Sequence, residues 1–208
     1  MMKKTFSMVL VFAILAVMAV GVVPACAQAE ENVFQFEAEN TYVNEIVGGN
    51  FSSNPTGRNC VVKDDRDMGA SNGYYVGSLC NNGATVEFEL YTTEDIEGAT
   101  LIVSLSSNTV DFVLDSSATA DQYYVIAVNG EPLDYGTIPV SAYGEFTEFA
   151  IEGITLKADV EYNSIMFYTA NSYSPTSGIF AAAPAIDYIQ IVTDSDAEVT
   201  MELYEGNY

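Results

Sequence analysis

Apolar and polar residues alternate in short runs along most of this chain, and no sustained helical period appears after residue 30. The cleanest run is Val86-Glu87-Phe88-Glu89-Leu90, which predicts a strand with Val86, Phe88 and Leu90 toward a core and both glutamates toward water. Similar runs predict strands at Phe34–Glu39, Cys60–Lys63, Gly73–Leu79, Thr100–Leu105, Tyr123–Asn129, Glu145–Ile151, Ser164–Thr169 and Ala185–Thr193. Gly, Asn, Asp, Ser and Pro clusters separate them, and Asn129-Gly130 is the strongest hairpin signal in the chain. Many short strands with turns at such intervals predict an all-β protein, a β-sandwich jelly roll. Residues 194–208 change character and read as an acidic tail able to add one strand.

The start of the chain reads differently. Met1-Met2-Lys3-Lys4 is a basic head, Met8–Val23 an apolar run, and Ala25-Cys26-Ala27-Gln28-Ala29 a small-residue string. That is the three-part layout of a secretory signal peptide over 1–29, with cleavage after Ala29 favoured over Ala27. The 16-residue apolar run falls short of the ~20 needed to cross a bilayer. A lipoprotein acylated at Cys26 ranks below ordinary cleavage, because Pro24 suits that pattern poorly. The expected product is a secreted, extracellular domain over 30–193 with the acidic tail behind it.

Charge and composition then narrow the chemistry. Beyond residue 29 the chain carries four cations (Arg58, Lys63, Arg66, Lys157) against 29 acids, a net charge of −25. Such a field repels nucleic acid and anionic membrane surfaces, disfavours acidic polysaccharides unless a bound cation bridges the two, and leaves neutral ligands and divalent cations as partners. The absence of histidine removes every mechanism that needs an imidazole base or metal ligand. No phosphate loop or nucleophile elbow is present, so an enzyme is not expected. Paired carboxylates alone do not argue otherwise, since 29 acids supply many chance pairs.

Three groups of residues carry candidate chemistry. Cys60 and Cys80 flank a polar stretch bordered by strand-like residues, an arrangement that brings two antiparallel strands within disulfide reach. The alternative is two buried thiols. Glu37 and Glu39 fall on one face of the predicted first strand, about 7 Å apart, which suits either a calcium ion or a solvated acidic face. The aromatic residues include no Trp, so any sugar platform must be Tyr or Phe.

Several strings, taken in order, resemble carbohydrate-binding modules of families 6 and 35. They are FEAEN at Phe36–Asn40, ASNGYYVGSL at Ala70–Leu79, TVEFELYTTEDIEGATLIV at Thr85–Val103, VNG at 128–130 and AIDYIQIV at Ala185–Val192. The resemblance runs from about Val33 to Thr193 and implies a galactose-binding-like jelly roll with a structural calcium. It nominates Glu37, Glu39 and Asp187 as the calcium ligands, a clamp between first and last strands. It also exposes departures. Ser78 stands where family 6 places an aromatic, Ala185 where it places an Asn, and only Tyr143 or Phe146 keeps an aromatic near the second platform.

The expected function is therefore non-catalytic recognition of neutral polysaccharide or glycan chains, with Tyr143, Asn171, Tyr173 and Tyr74 as ligand contacts. The segment 169–184 carries Asn171 and Tyr173, and loops of that length are often functional. The competing expectation is a structural or adhesive β-sandwich that has lost sugar binding and contacts a secreted protein partner.

Overall fold

The computed structural model describes residues 31–44, 60–65, 67–77, 79, 84–107, 111–114, 123–139, 145–169 and 183–204. Two six-stranded antiparallel sheets face each other across one apolar core. In chain order the strands are β1 (Asn32–Glu37), β2 (Tyr42–Asn44), β3 (Val61–Lys63), β4 (Tyr74–Val76), β5 (Thr85–Thr92), β6 (Ile96–Ser106) and β7 (Phe112–Val113). There follow β8 (Tyr124–Val128), β9 (Glu131–Pro132), β10 (Thr137–Ile138), β11 (Thr147–Leu156), β12 (Asn163–Thr169), β13 (Ala185–Thr193) and β14 (Val199–Met201). The first sheet runs β11-β6-β13-β4-β3, with β1 also on β13; the second runs β14-β5-β12-β8-β9, with β2 also on β5. A small β10-β7 pair completes the described strands.

The alternating patterns explain the core. Val86, Phe88 and Leu90 are fully buried, as their spacing on β5 demands, and Phe88 meets Phe167 of β12 edge-on at 5.8 Å. Burying side chains of this size stabilises the fold by about 1.5–3 kcal/mol each. Opposite them, β6 and β13 contribute Leu101, Val103, Leu105, Ile186, Ile189 and Ile191. Asn129-Gly130 makes the predicted hairpin: both residues have positive φ (51° and 84°), and Val128 pairs with Glu131 across the turn. That is the two-residue turn whose twist matches paired strands.

Two expectations need correction. The first strand stops at Glu37, and Ala38–Asn40 form a 3₁₀ turn closed by the Thr41 N–H on the Ala38 carbonyl. Ala38 and Glu39 are consecutive and both buried, which an alternating strand does not allow, so Glu37 and Glu39 do not share a strand face. Glu87 and Glu89 are half-buried rather than fully in water, and Glu87 Oε1 accepts from Ser164 Oγ at 2.6 Å. The tail does add a strand, β14, paired with β5 through Val199↔Thr92 and Met201↔Leu90. Among the described residues no helix is long and apolar enough to cross a membrane.

Candidate functional site

The first and last strands of the sandwich meet where β13 is irregular. Along β6, Leu105 pairs with Ile186 and Val103 with Ile189, so β13 spends one extra residue over that stretch. The resulting bulge breaks the alternation and leaves Ile186 and Asp187 both buried. On the opposite edge of β13, β1 pairs down to Glu37↔Tyr188, and β4 takes over at Val76↔Ile186. The 3₁₀ turn lifts the chain away at this handover. Glu37, Glu39 and Asp187 are thereby brought to one place where β1 gives way to β4 beside β13.

The loop between β3 and β4 covers them. Ser71 Oγ lies 2.6 Å from Glu37 Oε2 and 3.1 Å from Asp187 Oδ1, and the Ser71 N–H donates to Asp187 Oδ1 at 3.0 Å. Asn72 Nδ2 donates to Glu39 Oε1 at 2.8 Å, and Ser104 Oγ of β6 lies 3.3 Å from Asp187 Oδ2. Asp64 holds this loop in shape by accepting the backbone N–H groups of Met68, Gly69 and Ala70. Glu39 and Asp187 are 0% and 1% exposed. Burial pushes both carboxyls above their ordinary range; Ser71 and Ser104 counter this at Asp187, and its own backbone N–H and Asn72 counter it at Glu39.

The donor set is all oxygen, with two carboxylates removed from water, which is the chemistry calcium selects. As the side chains stand, however, no three His, Cys, Asp or Glu among the described residues converge on a metal position. Ser71 lies between Glu37 and Asp187 instead. Ser71, Asn72 and Ser104 were missed as site residues, because each is an ordinary turn or strand residue whose role depends on distant partners.

The other sequence candidates fall differently. Tyr74 is half-buried on the short strand β4, between β13 and β3, opposite Lys63. Phe146 is half-buried and packs its ring on Tyr75, with centroids 5.6 Å apart. Cys60 is buried, and its carbonyl accepts from Gly77 N–H at 2.8 Å. Tyr143, Asn171, Tyr173 and Cys80, like the leader 1–29, lie outside the described residues. The register nevertheless fixes where the flanking strands end. Val76, Ser106, Thr147 and Ala185 close one end of the first sheet, and Thr85, Tyr124 and Thr169 close the same end of the second. The connections carrying Cys80, Tyr143, Asn171 and Tyr173 therefore all leave from one end of the sandwich.

This arrangement of two sheets is the fold of family 35 carbohydrate-binding modules. The chain matches a family 35 module from an environmental isolate with a TM-score of 0.52 at 16% identity, covering 82% of this chain and 98% of that one. It matches the family 35 module from Paenibacillus barcinonensis with a TM-score of 0.50 at 13% identity, covering 76% and 97%. It also matches an exo-β-1,3-galactanase from Phanerochaete chrysosporium, in a crystal structure with galactose, with a TM-score of 0.50 at 18% identity. That match covers 77% of this chain but spans only 29% of the galactanase. No protein-family model matches the sequence, and no curated protein matches it.

Proposed function

We propose that this protein is a secreted, non-catalytic module that binds neutral glycan chains at the loop-bearing end of the sandwich. The observation that carries the reading is that the three connections bearing Cys80, Tyr143, Asn171 and Tyr173 leave from one end of a fold shared with carbohydrate-binding modules. Tyr143 and Tyr173 would stack on the C–H faces of sugar rings, and Asn171 would bond to hydroxyls.

Glu37, Glu39 and Asp187 would hold a structural calcium, which supplies positive charge where two buried carboxylates meet a third. In this reading the ion ties the end of β1 to the start of β13 and takes no part in chemistry. A Cys60–Cys80 disulfide would fasten the β4–β5 connection to β3, in keeping with secretion. Affinity electrophoresis through gels containing soluble neutral polysaccharides tests the binding claim. One polymer should retard the protein, and Tyr143→Ala and Tyr173→Ala should each restore most of its mobility. Retardation unchanged in both variants would place binding elsewhere.

A further inference from the structure

An opening lies on the outer face of the β14-β5-β12 sheet. It is a cleft of about 300 Å³ lined by Thr41, Tyr42, Glu87, Glu89, Glu202 and Tyr204. Two of these come from the C-terminal tail, beyond the stretch that resembles carbohydrate-binding modules. The tail is fixed there by Glu202 N–H on the Glu89 carbonyl (3.3 Å) and Tyr204 N–H on the Asn40 carbonyl (2.9 Å). Tyr204 meets Tyr42 edge-on, with ring centroids 5.2 Å apart at 83°.

The lining is rich in acceptors and contains no Lys or Arg. Ser164 Oγ donates to one oxygen of Glu87 and Tyr91 Oη to one oxygen of Glu202, which leaves three carboxylates sharing one opening. Burial together with Glu87, Glu202 and Glu161 holds the Glu89 carboxyl above its ordinary range, and Glu87 and Glu89 raise Tyr162. Like charges in this state are relieved by a cation and not by a neutral ligand. A bare metal ion would leave most of the space unfilled, since the cleft is about ten times a water's share of liquid volume. An organic cation fits better, since ammonium groups are attracted both to carboxylates and to tyrosine rings. One ammonium offers three donors, fewer than three carboxylates accept, so hydroxyls beside the charge complete the match.

We propose that this cleft takes a protonated amino-sugar unit of a glycan chain, its ammonium among Glu87, Glu89 and Glu202 and its ring against Tyr42 and Tyr204. The ligand class, though not the cleft, rests on the reading of the chain as a glycan-binding module. The test is calorimetric titration of the whole protein with a glucosamine trisaccharide, its fully N-acetylated counterpart and a trilysine peptide. The glucosamine trimer should bind at least about tenfold more tightly than the acetylated one, which has lost the charge, and should weaken as salt is added. Glu202→Gln alters an exposed position and should weaken binding about fivefold or more without moving the melting temperature; Tyr204→Ala also gives up the ring contact with Tyr42, so its similar loss of binding is measured well below its own melt. Equal affinity for both trimers, insensitivity to both substitutions, or no saturable binding would each overturn the proposal. Trilysine bound as tightly as the glucosamine trimer would overturn the sugar assignment. Retardation by neutral polysaccharide that depends on Tyr143 and Tyr173 reports the loop end alone. A silent cleft in a protein so retarded therefore overturns only this inference, and an amine-dependent cleft without retardation overturns only the loop-end reading.

Discussion

At Glu39 and Asp187 a carboxylate is held out of water, and that sets a pH response with a definite sign. An acid whose folded pKa is raised binds more protons folded than unfolded. Its favourable contribution is present below the ordinary carboxylate range, and it is lost as pH rises through the folded value. In chelator, the melting temperature should fall as pH rises from about 4 to 7, and Asp187→Asn should fall less steeply than the natural protein. Parallel slopes would show that Asp187 is not held in its protonated form. A second residue-scale prediction concerns Tyr124, fully buried with its hydroxyl unpartnered among the described residues. Tyr124→Phe removes a desolvated group and should leave stability unchanged or raised by up to about 1 kcal/mol in urea melts; a loss above about 1 kcal/mol would reveal a partner. At this scale the sequence exposed the three acids through E-x-E and I-D-Y. Their covering residues were illegible, since Ser71 reaches its acids across 34 and 116 positions of chain.

Strands with clean alternation were legible as elements, and β5, β6, β12 and β13 stand where their patterns put them. Short edge strands such as β2, β7 and β10 were not, because two or three residues hold no period and their pairing comes from the partner strand. The 3₁₀ turn was hidden by FEAEN itself, whose alternation continues past the point where the chain leaves the edge of β13. One buried polar side chain joins several elements. Asn163 accepts from Lys157 N–H and Asn129 Nδ2 and donates to the Lys157 and Leu90 carbonyls, binding β12 to β5, to the β11–β12 connection and to the β8–β9 hairpin. Asn163→Ala orphans several buried groups at once and should cost about 2–4 kcal/mol of stability in denaturant melts. A cost under about 1 kcal/mol would mean that water replaces the amide.

Across the whole molecule, 29 acids against four cations beyond residue 29 leave a fold under self-repulsion. Among the described residues the ion pairs are those of Lys157 with Asp95 (2.9 Å) and Glu97 (3.7 Å), both exposed and individually worth little. Screening should therefore stabilise the protein, with the melting temperature rising between about 0.05 and 1 M salt as the Debye length contracts to about 3 Å. A fall would mean that attractive pairs outweigh repulsion. Calcium should act in the same direction at far lower concentration. At 100 times its dissociation constant a bound ion stabilises by about 2.7 kcal/mol, which is worth about 5–10 °C for a domain of this size. The sandwich was readable at this scale from the order and spacing of its strands and turns, but which connections share an end was not, because that depends on strand register. The ligand was not, because the aromatic and amide positions that mark a family 6 cleft are Ser78 and Ala185 here.

The most direct test of the account is retention of the purified protein on a panel of insoluble plant and microbial polysaccharides, with calcium and then with chelator. The account predicts retention on at least one neutral polymer in calcium, weakened by Tyr143→Ala or Tyr173→Ala. A folded, calcium-loaded protein that passes every polymer would contradict it and favour an adhesive β-sandwich with a protein partner.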